Sequence, residues 1–426
     1  MNLRNPLLKI ENLKMHINTY EGKIKAVDGV NLELFAGEII GIVGESGSGK
    51  SMTSRTILKL LPEGGEVISG KITFKGRDIL QSSEEEIRTI RGSKISFIFQ
   101  NPATFLNPVL KIGDQIIENI ILHQKIKKKN ANESAIRLLT DVGLRNVDKI
   151  IDCYPPQLSG GTQQRAMIAM AISCNPDLII ADECTTALDV TTQLQILNLL
   201  KDISKKINIS IIIITHNLAV VAYLCTRTYV MHEGKTIEEA KTNDLFFDPK
   251  HDYTKKLLKS SRIINEEKFY STEGESEILK VDGIKKIFRL PRTKDPLNAV
   301  DNVSFKLKEG EIFGIAGESG SGKTTIANLL MGLLNVTSGE ITFLNKEINE
   351  FVKKDRKKFR KNIQMIFQSP FGSLNPRKTI GSILSLPINI HFKNTKDKTK
   401  EKVLELLTMV ELVPPEIFFD RHPHEL

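Results

Sequence analysis

Short, unbroken runs of aliphatic residues recur along this chain, and each gives way to glycine or charge at its C-terminal end. Residues 39–43 (Ile-Ile-Gly-Ile-Val) lead into a glycine-rich stretch, residues 178–181 (Leu-Ile-Ile-Ala) into Asp182-Glu183, and residues 211–214 (four isoleucines) into Thr215-His216. Runs this short with no polar alternation predict strands buried on both faces of a sheet. Residues 52–61, after the glycine-rich stretch, predict a helix. The N-terminal text MNLRNPLLKIENL alternates apolar and polar residues and has no apolar h-region, so no secretory signal is visible. No apolar run approaches the ~20 residues that span a bilayer. Residues 260–277 are polar without a clean period, which predicts a linker.

The pattern occurs twice. Gly44-Glu45-Ser46-Gly47-Ser48-Gly49-Lys50-Ser51 is repeated as Gly317-Glu318-Ser319-Gly320-Ser321-Gly322-Lys323-Thr324, followed by Thr325. Ala26-Val27-Asp28-Gly29-Val30 matches Ala299-Val300-Asp301-Asn302-Val303, and Phe97-Ile98-Phe99-Gln100 matches Met365-Ile366-Phe367-Gln368. The period is too long for a solenoid and indicates a duplicated domain: residues 1–260, a linker over 261–276, and a second copy over 277–426. After the first loop come LSGGTQQR at 158–165, LIIADE at 178–183 and Thr215-His216. After the second loop the text reaches Arg421-His422-Pro423-His424-Glu425-Leu426, where Tyr154-Pro155-Pro156-Gln157-Leu158 continues into Ser159. The expectation is a second copy truncated before its own version of that segment.

A glycine-rich loop between a strand and a helix turns backbone N–H groups toward a phosphate, and the helix N-terminus adds positive potential. Lys50 is then placed for β- and γ-phosphates and the Ser51 hydroxyl for Mg²⁺. Asp182 and Glu183 end a buried strand where ligands of parallel sheets collect, one carboxylate for the metal shell and one to polarise water. His216 ends the next strand at a similar depth and is a candidate γ-phosphate contact. Ser159, Gly160 and Gly161 form a second anion nest opening another helix. One domain cannot fold both nests around one nucleotide, so the sequence predicts a nucleotide sandwiched head to tail between two domains.

Charge and cysteine content narrow the field. The net charge of +9 comes from lysines scattered with few aromatics between them, which reads as solvated surface and gives no reason to invoke nucleic acid. Cys153, Cys174, Cys184 and Cys225 show no CxxC spacing, arguing against a disulfide framework or a zinc site and for reduced cytosolic thiols.

Together these residues resemble the ATP-binding subunits of ABC transporters over essentially the whole chain. Gln100-Asn101-Pro102-Ala103-Thr104-Phe105-Leu106-Asn107-Pro108, its echo Gln368-Ser369-Pro370-Phe371-Gly372-Ser373-Leu374-Asn375-Pro376, and Asp248-Pro249-Lys250-His251-Asp252-Tyr253-Thr254 look like segments of the oligopeptide, dipeptide and nickel importers. The resemblance implies two α/β P-loop domains. Each would have a largely parallel sheet core, an antiparallel β part and a helical subdomain, supplied by residues 112–173 in the first copy. It implies ATP and Mg²⁺ as cofactors, with Ser51, Gln100 and Asp182 near the metal, and Thr324 and Gln368 in the second copy. Glu183 becomes the general base, His216 the switch histidine, Ala187-Leu188-Asp189 the D-loop, and Tyr20 and Phe288 candidates for stacking adenine. Cys184 stands where the family usually has proline. Implied partners are two membrane-spanning permease subunits, an extracytoplasmic solute-binding protein, and either a second copy of this chain or another ATPase subunit. The implied location is the cytoplasmic face of the membrane. Two alternatives stand beside this reading: a remnant that binds nucleotide without turnover, and a soluble tandem protein acting on ribosomes or DNA. The latter predicts a charged helical linker or zinc cysteines, and neither is present in the sequence.

Overall fold

A computed structural model describes residues 5–19, 22–186, 188–261, 276–289, 296–368, 370–392 and 395–426. Tyr20, Ala187 and most of the expected linker lie outside the described residues. The chain divides into two compact units, Met1–Lys268 and Phe269–Leu426.

The first unit contains strands β1 (Leu8–Thr19), β2 (Gly22–Leu34), β3 (Ile39–Val43), β4 (Gly65–Phe74), β5 (Arg77–Asp78), β6 (Ile95–Ile98), β7 (Leu178–Asp182), β8 (Ser210–Ile214), β9 (Arg227–His232) and β10 (Lys235–Lys241). They form an antiparallel sheet in the order β2-β1-β4-β5 and a second sheet in the order β10-β9-β3-β8-β7-β6. The second is parallel from β9 to β6, with β10 antiparallel at its edge.

Every residue of β3, β7 and β8 is buried. Side chains alternate across a strand, so each of these strands feeds two cores. Ile39, Ile179, Ile211 and Ile213 pack toward the helices. Ile40, Ile42, Ile180, Ile212 and Ile214 pack against Leu8, Ile10 and Ile72 of the antiparallel sheet. With both faces apolar, the aliphatic runs are unbroken, and the polar Asp182 and Ser210 stand only at strand ends.

Between β6 and β7 the chain forms helices Ile112–Gln124, Lys128–Asp141, Val147–Ile150 and Gly160–Ile172, the expected helical insertion. The helix after the glycine-rich loop is Lys50–Ile57, two residues earlier at its start than the sequence pattern suggests. Gly49 starts it: as N-cap it adopts φ 93°, open to glycine without strain.

The second unit has an antiparallel sheet of β11 (Glu277–Phe288), β12 (Leu297–Lys308), β13 (Ser338–Phe343) and β14 (Lys346–Glu347), ordered β12-β11-β13-β14. Val281, Ile284, Ile326, Leu329, Phe351 and Phe359 build its core. Residues 312–316 and 363–366 repeat the sequences of β3 and β6 but form no strand. Ile312 is 100% exposed and Ile366 98% exposed. In the first unit β8 and β7 stand between β3 and β6 and hydrogen-bond to them. No described residues of the second unit form counterparts to β7 and β8, and an aliphatic run without a strand neighbour has no ladder to join.

Candidate functional site

The loop from Gly44 to Ser51 closes tightly on neighbouring backbone. A Cβ on Gly44 would lie 2.2 Å from the Met231 carbonyl oxygen, and one on Gly49 2.3 Å from that of Ala26. Only glycine fits either place. Glu45, Ser46 and Gly47 are exposed at the tip, whereas Ser48 and Lys50 are buried. Lys50 Nζ donates to the carbonyls of Gly44 at 2.8 Å and Glu45 at 2.6 Å, and to Ser48 Oγ at 3.3 Å, which uses its three protons. Burial lowers its pKa against the opposing pull of Glu183, Asp182 and Glu45.

The ends of β7 and β8 bring the acidic residues beside this loop. Ser51 Oγ donates to Asp182 Oδ1 at 3.0 Å. Asp182 is 5% exposed, and burial raises its pKa although the Ser51 hydroxyl acts the other way. Glu183 leaves the strand with φ 46°, a left-handed conformation uncommon for a side-chain-bearing residue. Its N–H still donates to the Ile214 carbonyl at 2.8 Å, so β8 fixes it from behind. Gln100 Nε2 donates to Glu183 Oε2 at 2.7 Å, and His216 Nδ1 lies 2.9 Å from Oε1. An ionised carboxylate only accepts, so that contact needs the proton on Nδ1. Two segments far apart in sequence therefore hold one carboxylate.

The buried Asp182 carboxylate, bonded to the Ser51 loop hydroxyl, is an all-oxygen pair suited to a hard divalent cation. Among the described residues no group of three or more His, Cys, Asp or Glu side chains could hold a metal. Mg²⁺ ordinarily takes one or two carboxylates and completes its shell with phosphate oxygens and water. The residues present fit it.

The Ser159 segment opens the last helix of the insertion in the same unit. Ser159 is the exposed N-cap of helix Gly160–Ile172, its Oγ accepting from Thr162 N at 3.4 Å and lying 2.9 Å from Thr162 Oγ1. Nothing lies within 4 Å of where a Gly160 Cβ would be, whereas one on Gly161 would meet Thr192 Cγ2 at 2.9 Å. The outward face of this nest is open. Beyond it, Asp189 caps helix Val190–Ile207 by accepting from Thr192 N at 2.9 Å.

The second loop has the same internal geometry. Gly317, Gly320 and Gly322 have φ of 159°, 83° and 92°, close to the 153°, 82° and 93° of Gly44, Gly47 and Gly49. Lys323 Nζ donates to the carbonyls of Gly317 at 2.7 Å and Glu318 at 2.5 Å, and to Ser321 Oγ at 3.3 Å. Its surroundings differ: residues 311–320, Ser319 included, are exposed, as are Thr324 and Gln368, and Thr325 is half-buried. A cavity of about 870 Å³ lined by Lys323, Thr324, Ile366 and Gln368 lies beside the loop. Phe288, on β11, is half-buried with Lys286 Nζ 5.2 Å from its ring centroid.

Two contacts were not legible in the sequence. Thr186 Oγ1 donates to the Glu183 carbonyl at 3.1 Å, and Tyr253 reaches the phosphate loop. A hydroxyl three residues after a carboxylate is a local signal; the Tyr253 contact has none. Cys184 is 5% exposed, and burial pushes its thiol pKa up to about 12.

The family model described as ABC transporter matches residues 27–186 and 300–425. A peptidoglycan transport ATP-binding protein, YejF, of Agrobacterium fabrum is 40% identical over 99% of this chain and 77% of its own length. A glutathione import ATP-binding protein, GsiA, of Pectobacterium atrosepticum is 36% identical over 98% of this chain and 73% of its own. Among solved structures, the ATP-binding cassette MJ0796, a dimer in a post-hydrolysis state bound to ADP and Pi, matches with TM-score 0.50 and 29% identity, covering 55% of this chain and 98% of that one. CbiO1 of Clostridium perfringens, part of the transporter complex cbiONQ, matches with TM-score 0.50 and 27% identity over 57% of this chain and 92% of its own.

Proposed function

The chain belongs to the ABC transporter family, and we propose that it is the ATP-hydrolysing subunit of an importer for peptides or a related small solute. The observation that carries the catalytic reading is the Glu183 carboxylate, held by Gln100 and His216 next to the Ser51–Asp182 pair. The loop N–H groups and Lys50 bind the β- and γ-phosphates and neutralise charge that grows as the γ-phosphoryl leaves. Ser51 and Asp182, with Gln100, would hold Mg²⁺, which would supply neutralisation of phosphate charge. Glu183 orients the attacking water and takes its proton, while Gln100 and His216 keep the carboxylate aimed. Water adds to the γ-phosphorus, the bond to the β-γ bridging oxygen breaks, and ADP and phosphate leave.

Ser159, Gly160 and Gly161 close the site from a second copy, since their nest opens outward. A dimer through the first units makes two such sites, each with Lys50 and Glu183 of one protomer facing Ser159 of the other; the dimeric state of the MJ0796 cassette supports this assembly. On this reading residues 1–260 are a nucleotide-binding domain, 261–276 a linker and 277–426 belong to a second such domain of a tandem fusion, with Lys323, Thr324, Thr325 and Gln368 at its own loop. No described helix is long and apolar enough to cross a membrane. The chain would dock on two permease subunits at the cytoplasmic face, with an extracytoplasmic solute-binding protein delivering the solute. The similarity to proteins named for peptidoglycan transport and glutathione import favours this over a ribosome- or DNA-directed role.

Binding of a fluorescent ATP analogue with Mg²⁺ tests the phosphate loops. The Lys50→Ala, Lys323→Ala double variant is expected to lose binding; wild-type affinity in that variant would refute the assignment.

A further inference from the structure

The stretch Asp248-Pro249-Lys250-His251-Asp252-Tyr253-Thr254 occurs once in the chain, and the reaction above makes no use of it. In the fold it lies against the phosphate loop. The phenol oxygen of Tyr253 accepts the backbone N–H of Glu45 at 3.1 Å, across 208 positions of sequence. Its ring stacks on His232 with centroids 4.0 Å and planes 26° apart, and it packs on the helix-side core.

The backbone that delivers Tyr253 is itself tied down. The N–H groups of Lys250 and His251 donate to Glu238 at 2.7 and 3.0 Å, and the Tyr253 N–H donates to His251 Nδ1 at 3.1 Å. Burial raises the Tyr253 pKa, so the group facing Glu45 is a neutral hydroxyl. Glu45 is thus held at its N–H by Tyr253 and at its carbonyl by Lys50, 2.6 Å away. Without such ties, an exposed tip between Gly44 and Gly47 has to be ordered when nucleotide binds, at a cost in affinity.

We propose that Tyr253 is a positioning residue that fixes the tip of the phosphate loop in its nucleotide-receiving shape, acting through the Glu45 backbone. It touches neither substrate nor metal in this role. The proposal rests on the reading of Gly44–Ser51 as the phosphate cradle. His232 is its support, because the stacked imidazole limits how far the phenol can swing.

The test uses the full chain carrying Lys323→Ala, so that only the first loop reports. Tyr253→Phe keeps the ring and its packing and removes one oxygen. Its dissociation constant for a fluorescent ATP analogue with Mg²⁺ is expected to rise roughly three- to tenfold, the range of one lost hydrogen bond, with an unchanged unfolding temperature. Turnover at saturating ATP should stay within about twofold, because KM rather than kcat carries the effect of a ground-state binding loss. His232→Ala should weaken binding as well, and add little in the Tyr253→Phe background. Affinity unchanged in Tyr253→Phe, or a loss that merely tracks a lower unfolding temperature, would overturn the proposal. Lys50→Ala separates the two readings. If it abolishes binding while Tyr253→Phe behaves as wild type, only the tyrosine proposal fails; if Lys50→Ala binds normally, the phosphate-cradle reading fails with it.

Discussion

Glu183 concentrates what single residues contribute. Its left-handed φ of 46° and its two polar partners, from positions 83 and 33 residues away, place a carboxylate where strand geometry alone would not. Backbone strain of this kind persists where surrounding contacts over-determine it. Replacing Glu183 by Gln keeps the shape and removes the base. Nucleotide should still bind while turnover falls by about 10² or more. A Glu183→Gln protein with undiminished phosphate release would move the base elsewhere, to His216 first. The letters for this cluster stand in the sequence as Asp182-Glu183 and Thr215-His216, since strand ends and carboxylates are local features. That Gln100 and His216 meet on one carboxylate is tertiary, and so is the reach of Tyr253 to Glu45.

Strands show the same division between local and non-local information. The aliphatic runs of β3, β7 and β8 betray burial on both faces because nothing polar interrupts them. Residues 312–316 carry the same kind of run, yet they form no strand, for pairing depends on neighbours that a local pattern does not contain. The energetic consequence is a contrast between equivalent chemistries. Ile213, 2% exposed in β8, should cost ~2–5 kcal/mol when cut to Ala. Ile366, 98% exposed, should change stability by less than about 0.5 kcal/mol. Urea unfolding followed by circular dichroism would read both. A large loss from Ile366→Ala would mean that residues 363–366 are covered in solution.

At the level of the whole molecule, the decisive feature is that the first unit carries two anion nests. Lys50, Asp182 and Glu183 gather at one end of the parallel sheet, whereas the exposed Ser159 nest turns outward on the inserted helices. A second nest with no phosphate of its own was readable from LSGGTQQR alone; that its outer face is open required the fold. The account's central claim is that hydrolysis occurs between Lys50 and Glu183 of one first unit and Ser159 of another. Mixing two inactive variants, both in a Lys323→Ala background, addresses it. Lys50→Ala removes the phosphate lysine. Ser159→Asp keeps an N-cap side chain and sets a carboxylate against the incoming γ-phosphate. Each protein alone should be inactive, yet their mixture should regain about a quarter of the parental phosphate release once dimers have exchanged, since about half are mixed and each holds one intact site. A mixture that stays as inactive as its components, while exchange is verified and the parent hydrolyses ATP, would contradict the shared site.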